Sequence, residues 1–91
     1  MVNIKESDNQ FYIGETAENP SAKIVFEIRE NILTILSTEV SASFQGQGIG
    51  QLLVAYAVDY ARNNQLKIIP ICPYAIKQFE KHPEYSDVKF H

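Results

Sequence analysis

Apolar and polar positions alternate with a period of two through the first part of the chain, then switch to a helical period. Phe11-Tyr12-Ile13-Gly14 predicts a short first strand. Glu18-Asn19-Pro20-Ser21 is a cluster of turn residues. Ala22 to Arg29 alternates cleanly, with Ile24, Phe26 and Ile28 facing one way and Val25, Glu27 and Arg29 the other. That is the pattern of a half-buried strand. Glu30-Asn31 predicts a two-residue hairpin turn, because Asn tolerates positive φ. The partner strand runs from Ile32 to Val40. Its stretch Ile32-Leu33-Thr34-Ile35-Leu36-Ser37-Thr38 is β-branched and apolar on both faces, which predicts the most buried strand of a small sheet.

From Ile49 onward Ile49, Leu52, Leu53, Tyr56, Ala57 and Tyr60 fall at helical spacing and form one stripe. Gln51, Asp59, Arg62 and Asn63 lie mostly off it, and Asn63-Asn64 is a C-terminal stop. Lys67-Ile68-Ile69-Pro70-Ile71-Cys72 predicts another strand. Following a helix, it should run parallel to the Ile32 strand through a right-handed crossover. Pro73 then opens a short helix through Tyr74, Ile76 and Phe79, which Pro83 ends near His82. Tyr85 to His91 predicts a last short strand through Val88 and Phe90. The order is β-β-β-α-β-α(-β), an α+β (α/β) fold: an antiparallel meander, one βαβ crossover and a short C-terminal helix.

Composition narrows the function classes. The chain of 91 residues is expected to form one small domain. Hydrophobic residues are 45% and charged residues 21%, a globular balance. A net charge of −3 argues against a nucleic-acid surface. No apolar run approaches a membrane span, and Met1-Val2-Asn3-Ile4-Lys5-Glu6 has no signal-peptide core. The single cysteine has no internal disulfide partner. These features fit a reducing cytoplasm. No metal site is expected.

The candidate chemistry begins at Gln45-Gly46-Gln47-Gly48-Ile49-Gly50, which joins the Ile32 strand to the helix. Glycine lets an anion approach the backbone closely. The first N–H groups of a helix have no internal partner and carry the positive end of the macrodipole. A phosphate can therefore bind at Gly46 to Gln51 without a basic side chain. The alternative is a set of glycines that only shapes a tight strand-to-helix turn. The P-loop does not fit, because Ile49-Gly50-Gln51 follows Gly48 where Lys-Ser or Lys-Thr is required. The dinucleotide fingerprint does not fit either, since the spacing is Gly-x-Gly-x-Gly and the chain is too short for a doubly wound sheet.

The loop resembles the pyrophosphate loop of the Gcn5-related N-acetyltransferases (GNAT), whose pattern is Gln or Arg, two residues of any type, Gly, any residue, then Gly or Ala. Gln45, Gly48 and Gly50 fill it. The resemblance covers nearly the whole chain and is strongest from Ile32 to Tyr85. It is closer still to a compact GNAT-like subfamily that carries Ala-Arg late in the helix (Ala61-Arg62), Cys-Pro-Tyr after the next strand (Cys72-Pro73-Tyr74) and a His-Pro-Glu-Tyr-like segment (His82-Pro83-Glu84-Tyr85). Many members have His-Thr-Glu-Val before the loop. This chain has Ser37-Thr38-Glu39-Val40, so any role of that His does not carry over.

The resemblance implies a truncated GNAT-like fold with acetyl-CoA as ligand. Its pyrophosphate would lie on the loop of Gln45, Gly46, Gln47, Gly48, Ile49, Gly50 and Gln51. Its pantetheine arm would lie between the splayed ends of the Ile32 and Lys67 strands, pairing with backbone at Thr38, Glu39 and Val40. Cys72, just before a helix, would face the thioester. A thiol at a helix N-terminus gains nucleophilicity, so Cys72 could accept the acetyl group as an acyl-cysteine. The other reading is a small buried hydrophobe. Tyr74 stands where many GNAT enzymes use a tyrosine to protonate the departing CoA thiolate, a task suited to a phenol that is neutral at pH 7. Its alternative is packing against Phe79. Glu39 could take a proton from an amine, or be a solvated carboxylate. Arg62 and Lys67 could reach the adenine 3′-phosphate, or be surface charges. His82 and His91 are given no catalytic role.

A full GNAT enzyme opens with a strand and two helices that build much of the acceptor pocket, and Met1 to Gln10 leaves no room for them. Three functions remain open. One is a minimal N-acetyltransferase acting on an amine of unknown identity, such as a protein amine. Another is a non-catalytic acetyl-CoA-binding sensor or carrier. The last is an interaction module without CoA. Neither nucleic acid nor membrane is expected as a partner.

Overall fold

The computed structural model describes residues 3–90. Five strands form one sheet in the order β1-β2-β3-β4-β5. They are β1 (Lys5–Glu6), β2 (Gln10–Ile13), β3 (Ala22–Arg29), β4 (Ile32–Val40) and β5 (Lys67–Pro70). The first four are antiparallel, and β4 pairs with β5 in parallel. Helix α1 (Ile49–Asn63) connects β4 to β5, and α2 (Pro73–Lys81) follows β5. The expected α+β order is therefore present.

The hairpin turn falls at Glu30-Asn31, where both residues are left-handed, with φ of 54° and 66°. Two consecutive left-handed residues match the right-handed twist of the strands they join. Ala22, Ile24 and Phe26 of β3 are buried, while Ile28 is exposed at the strand end. Cross-strand partners share a face, so Ile24, Phe11 and Thr38 point together, as do Lys23, Tyr12 and Glu39. The first set lies on the face that both helices cover.

Strand β4 is less uniformly buried than its composition predicts. Leu33 and Ile35 are fully buried, Ile32 and Thr34 are half-buried, and Leu36 is 40% exposed. The reason is coverage: both helices lie on one side. Leu36 is also an extra residue, since Val25 pairs with Ser37 and Phe26 with Ile35. This β-bulge reorients β4 as it enters the functional region.

Helix α1 also differs in rotation from its expected stripe. Ile49, Gly50, Leu53, Val54, Ala57, Val58 and Ala61 are buried, whereas Leu52 is 41% exposed. Gly50, Ala57 and Ala61 let the helix approach closely, and its larger Tyr56 and Tyr60 flank Phe11 with centroids at 4.9 and 5.1 Å. The Tyr56 hydroxyl donates to the Glu6 carboxylate, which pushes the phenol up to about 12 and ties β1 to α1.

The expected final strand is not formed as one. Pro83–Asp87 is a 3-10 turn, and a single parallel bridge joins Lys89 to Ile68. Ile68 donates to the Val88 carbonyl at 2.6 Å and accepts from Phe90 at 2.9 Å, so this segment covers only part of the outer edge of β5. His91 lies outside the described residues. Among the described residues, no helix is long and apolar enough to cross a membrane.

Candidate functional site

Strands β4 and β5 pair only from Ile32–Lys67 to Ile35–Pro70. The chain then turns away, with Ile71 and Cys72 both donating to the Ile35 carbonyl at 3.0 and 3.3 Å. Strand β4 continues to Val40, so beyond Ile35 its edge on this side has no neighbouring strand. The glycine loop closes one end of the resulting gap and the start of α2 lines its side.

The loop is held from outside. A 3-10 turn at Ala42–Phe44 precedes it. The Gln45 side-chain amide donates to the Val40 carbonyl at 3.3 Å, and that of Gln47 to the Ser43 carbonyl at 3.2 Å. Gly46 and Gly48 have φ of 82° and 72°, which side-chain-bearing residues rarely adopt. Gly48 is the N-cap of α1, whose first turn carries no acidic residue.

The backbone N–H groups of Gly46, Gln47, Gly48, Ile49, Gly50 and Gln51 donate to no acceptor among the described residues; the first loop-to-helix bond is Leu52 to Gly48 at 3.0 Å. Six consecutive unpartnered donors stand at the positive end of a 15-residue helix, an arrangement whose electrostatics suit an anion. A cavity of about 320 Å³ opens beside them, lined by Thr38, Val40, Phe44, Gln45, Gly46, Gly48, Ile49, Gly50 and Tyr74. Its walls are apolar at Val40, Phe44 and Ile49 and polar at Thr38 and Tyr74. This suits a ligand with an anionic head and an uncharged arm.

Tyr74 reaches the cavity because Pro73 starts α2 and Cys72 caps it. The Cys72 sulfur accepts from the Ala75 N–H at 3.3 Å and lies 3.5 Å from Thr38 Oγ1. Cys72 is 7% exposed and does not line the cavity; Thr38 separates the two. Burial raises the Tyr74 phenol above the ordinary value of 10, so it is protonated at neutral pH.

The remaining candidates lie elsewhere. Glu39 points to the uncovered face beside Lys23, with an ion-pair separation of 3.9 Å, opposite Thr38 and Cys72. Gln47 and Gln51 are exposed on the outside of the loop. Arg62 ends α1, about 20 Å of helix from the loop. It holds both Asp87 oxygens, at 2.8 and 2.9 Å, and Lys67 donates to the Asp87 carbonyl at 2.6 Å. Neither cation reaches the cavity, because the helix separates Arg62 from it and Asp87 engages both. His82 bonds Glu84 at 3.1 Å and stacks on Tyr85. Phe44 is the cavity residue that the strand and helix patterns missed. A lone aromatic in Ser41-Ala42-Ser43-Phe44 is the signal that marks it.

Comparisons with known proteins agree with this geometry. The family model described as GCN5-related N-acetyl-transferase matches residues 10–88. No curated protein matches. A GCN5-like protein from Staphylococcus aureus, solved by NMR, superposes with a TM-score of 0.81 and 39% identity, over 98% of this chain and 88% of that one. The ribosomal-protein-S18-alanine N-acetyltransferase of Escherichia coli shares the fold alone, with a TM-score of 0.64 and 16% identity. The match covers 85% of this chain and only 53% of the Escherichia coli enzyme. From the loop and the split between two parallel strands to the family model that spans both, the observations agree: the chain belongs to the GCN5-related N-acetyltransferase family.

Proposed function

We propose that this protein binds acetyl-CoA in the β4–β5 gap and transfers its acetyl group to an amine. The run of six unpartnered amides from Gly46 to Gln51 carries the reading. They fit a pyrophosphate without a basic residue, and the unpaired β4 edge from Ser37 to Val40 fits an amide-bearing pantetheine arm. Acetyl-CoA supplies the activated acetyl group as its thioester.

The helices fill one side of the sheet, so an amine reaches the gap from the uncovered side. Glu39 faces that side and can take the amine proton, directly or through water. The amine nitrogen bonds to the acetyl carbon as the carbon–sulfur bond breaks. Tyr74 gives its phenolic proton to the departing sulfur and regains one from solvent. A second cavity of about 340 Å³, lined by Asn19, Ser21, Lys23, Glu39 and Ser41, opens beside Glu39 and gives the amine a way in.

The test is a titration with acetyl-CoA followed by amide NMR, together with CoA-thiol release across a panel of amines and peptides. Shifts at Gly46 to Gln51, Thr38 to Val40 and Tyr74 with steady thiol release are expected. No shifts at millimolar ligand would reject the cofactor site. Shifts without release for any acceptor would leave a binding protein.

A relay through Cys72 is a second reading, favoured by the Ala75 N–H that its sulfur accepts. It predicts a single-acetyl mass increase that disappears in Cys72→Ser. An increase that persists in that variant excludes Cys72.

A further inference from the structure

The three glycines of the loop are not equivalent. Gly46 and Gly48 need positive φ, and a Cβ at either would meet nothing within 4 Å. Gly50 has no such backbone requirement. It lies within the first turn of α1, where alanine would ordinarily be preferred over glycine by about 1 kcal/mol. Yet a Cβ at Gly50 would come within 2.9 Å of both Cζ and Oη of Tyr74 and 3.0 Å of Cε2. These distances are shorter than van der Waals contact. The tip of the phenol ring lies directly on the space that a side chain would occupy.

We propose that Gly50 is a positioning residue for Tyr74: the missing Cβ is the seat on which the phenol rests, holding its hydroxyl at the wall of the cavity. The ring is fixed at its other end because Tyr74 follows Pro73 in the first turn of α2, whose start Cys72 caps. Ala75 and Phe79 bury the same helix against the core. The backbone of α2 is therefore anchored, while Tyr74 as a residue is 39% exposed, which leaves its ring room to swing outward. A methyl group at position 50 should displace the ring rather than the helix. The chemical meaning of the assignment rests on the acetyl-transfer reading, but its geometry does not.

The test uses the ligand-free protein with tyrosines carbon-13 labelled at the ring, and Tyr74 assigned by Tyr74→Phe. Burial raises the Tyr74 phenol, so a displaced ring must titrate at lower pH than in the parent protein, nearer 10. Gly50→Ala is expected to lower that titration and to weaken the nuclear Overhauser contacts from the ring to residue 50. A methyl packed against an unmoved ring would increase its burial and raise the titration further. An unchanged or raised titration with the contacts retained would overturn the proposal.

Should Gly50→Ala fail to fold, the decision passes to Gly50→Ala combined with Tyr74→Ala. Folding of the double variant supports the seat, because removing the ring removes the conflict. Failure of both would place the conflict elsewhere and overturn it. Where the parent protein releases CoA thiol with an amine, Gly50→Ala should lower kcat on the order of 10- to 100-fold, the cost of a misplaced general acid. If acetyl-CoA shifts no amide of the parent protein, the acetyl-transfer reading fails while the tyrosine result still stands.

Discussion

Gln47 sits in the middle of the glycine loop with its side chain turned outward, donating to the Ser43 carbonyl. It can gain a charge without the positive φ that makes Gly46 and Gly48 poor sites for substitution. Gln47→Glu places a carboxylate beside six unpartnered amides. It should weaken acetyl-CoA binding about two- to fivefold, the scale of one charge at a helix N-terminus. Gln47→Lys should act oppositely, and added salt should narrow the difference. Calorimetric titration of the two variants reads this directly; equal affinities would place the pyrophosphate away from the loop. At this scale the sequence was partly informative. Gly48 and Gly50 stand out as members of a spaced pattern. That Gly48 sets a backbone angle while Gly50 receives a ring was not legible, because Tyr74 lies 24 residues further along the chain.

Secondary-structure elements were legible where one local rule decides them. Alternation placed β3, and Pro73 placed the start of α2. The Glu30-Asn31 turn also followed from local chemistry, and it carries a prediction. Both residues are left-handed, a conformation that costs an ordinary L-residue roughly 1–2 kcal/mol. Glu30→Asn with Asn31→Gly should therefore stabilise the protein by about 1 kcal/mol, raising its urea midpoint with unchanged slope. A lower midpoint would mean that Glu30 or Asn31 makes a contact worth more than the strain. The rotation of α1 was less legible. Leu52, Leu53, Val54, Tyr56, Ala57 and Val58 make an apolar arc too broad for periodicity to centre. Close packing of Ala57 and Ala61 on the sheet selected Val54 and Val58 over Leu52.

The molecule as a whole is closed at one corner by charge. Arg62, at the end of α1, grips Asp87 in the C-terminal turn, and Lys67 at the start of β5 donates to the same residue. The guanidinium holds the Asp87 carboxyl below its ordinary value. A lowered folded value means that this contribution is present above the unfolded value of about 4 and is lost as pH falls through the folded one. Arg62→Gln should thus lower the thermal midpoint at pH 7, and its gap to the parent protein should close as pH falls below about 4. A gap that stays constant on acidification would show that Arg62 acts through packing of its stem.

Sequence by itself determined the order of strands and helices, the hairpin turn, the parallel pairing after α1 and the place of the glycine loop. These depend on residues near one another along the chain. Only the tertiary structure decided where β4 and β5 part, that both helices cover one face, and which side chains meet at the gap. Alternation assigns Thr38 and Glu39 to opposite faces but cannot say which face is covered. The helices put Thr38 beside Cys72 and left Glu39 on the open side, because a sheet buries only the face against which helices pack. The final segment shows the same division. Val88 and Phe90 have the spacing of a strand, but backbone pairing needs a neighbouring edge, and β5 offers a single bridge at Ile68 before Pro70 removes the next donor.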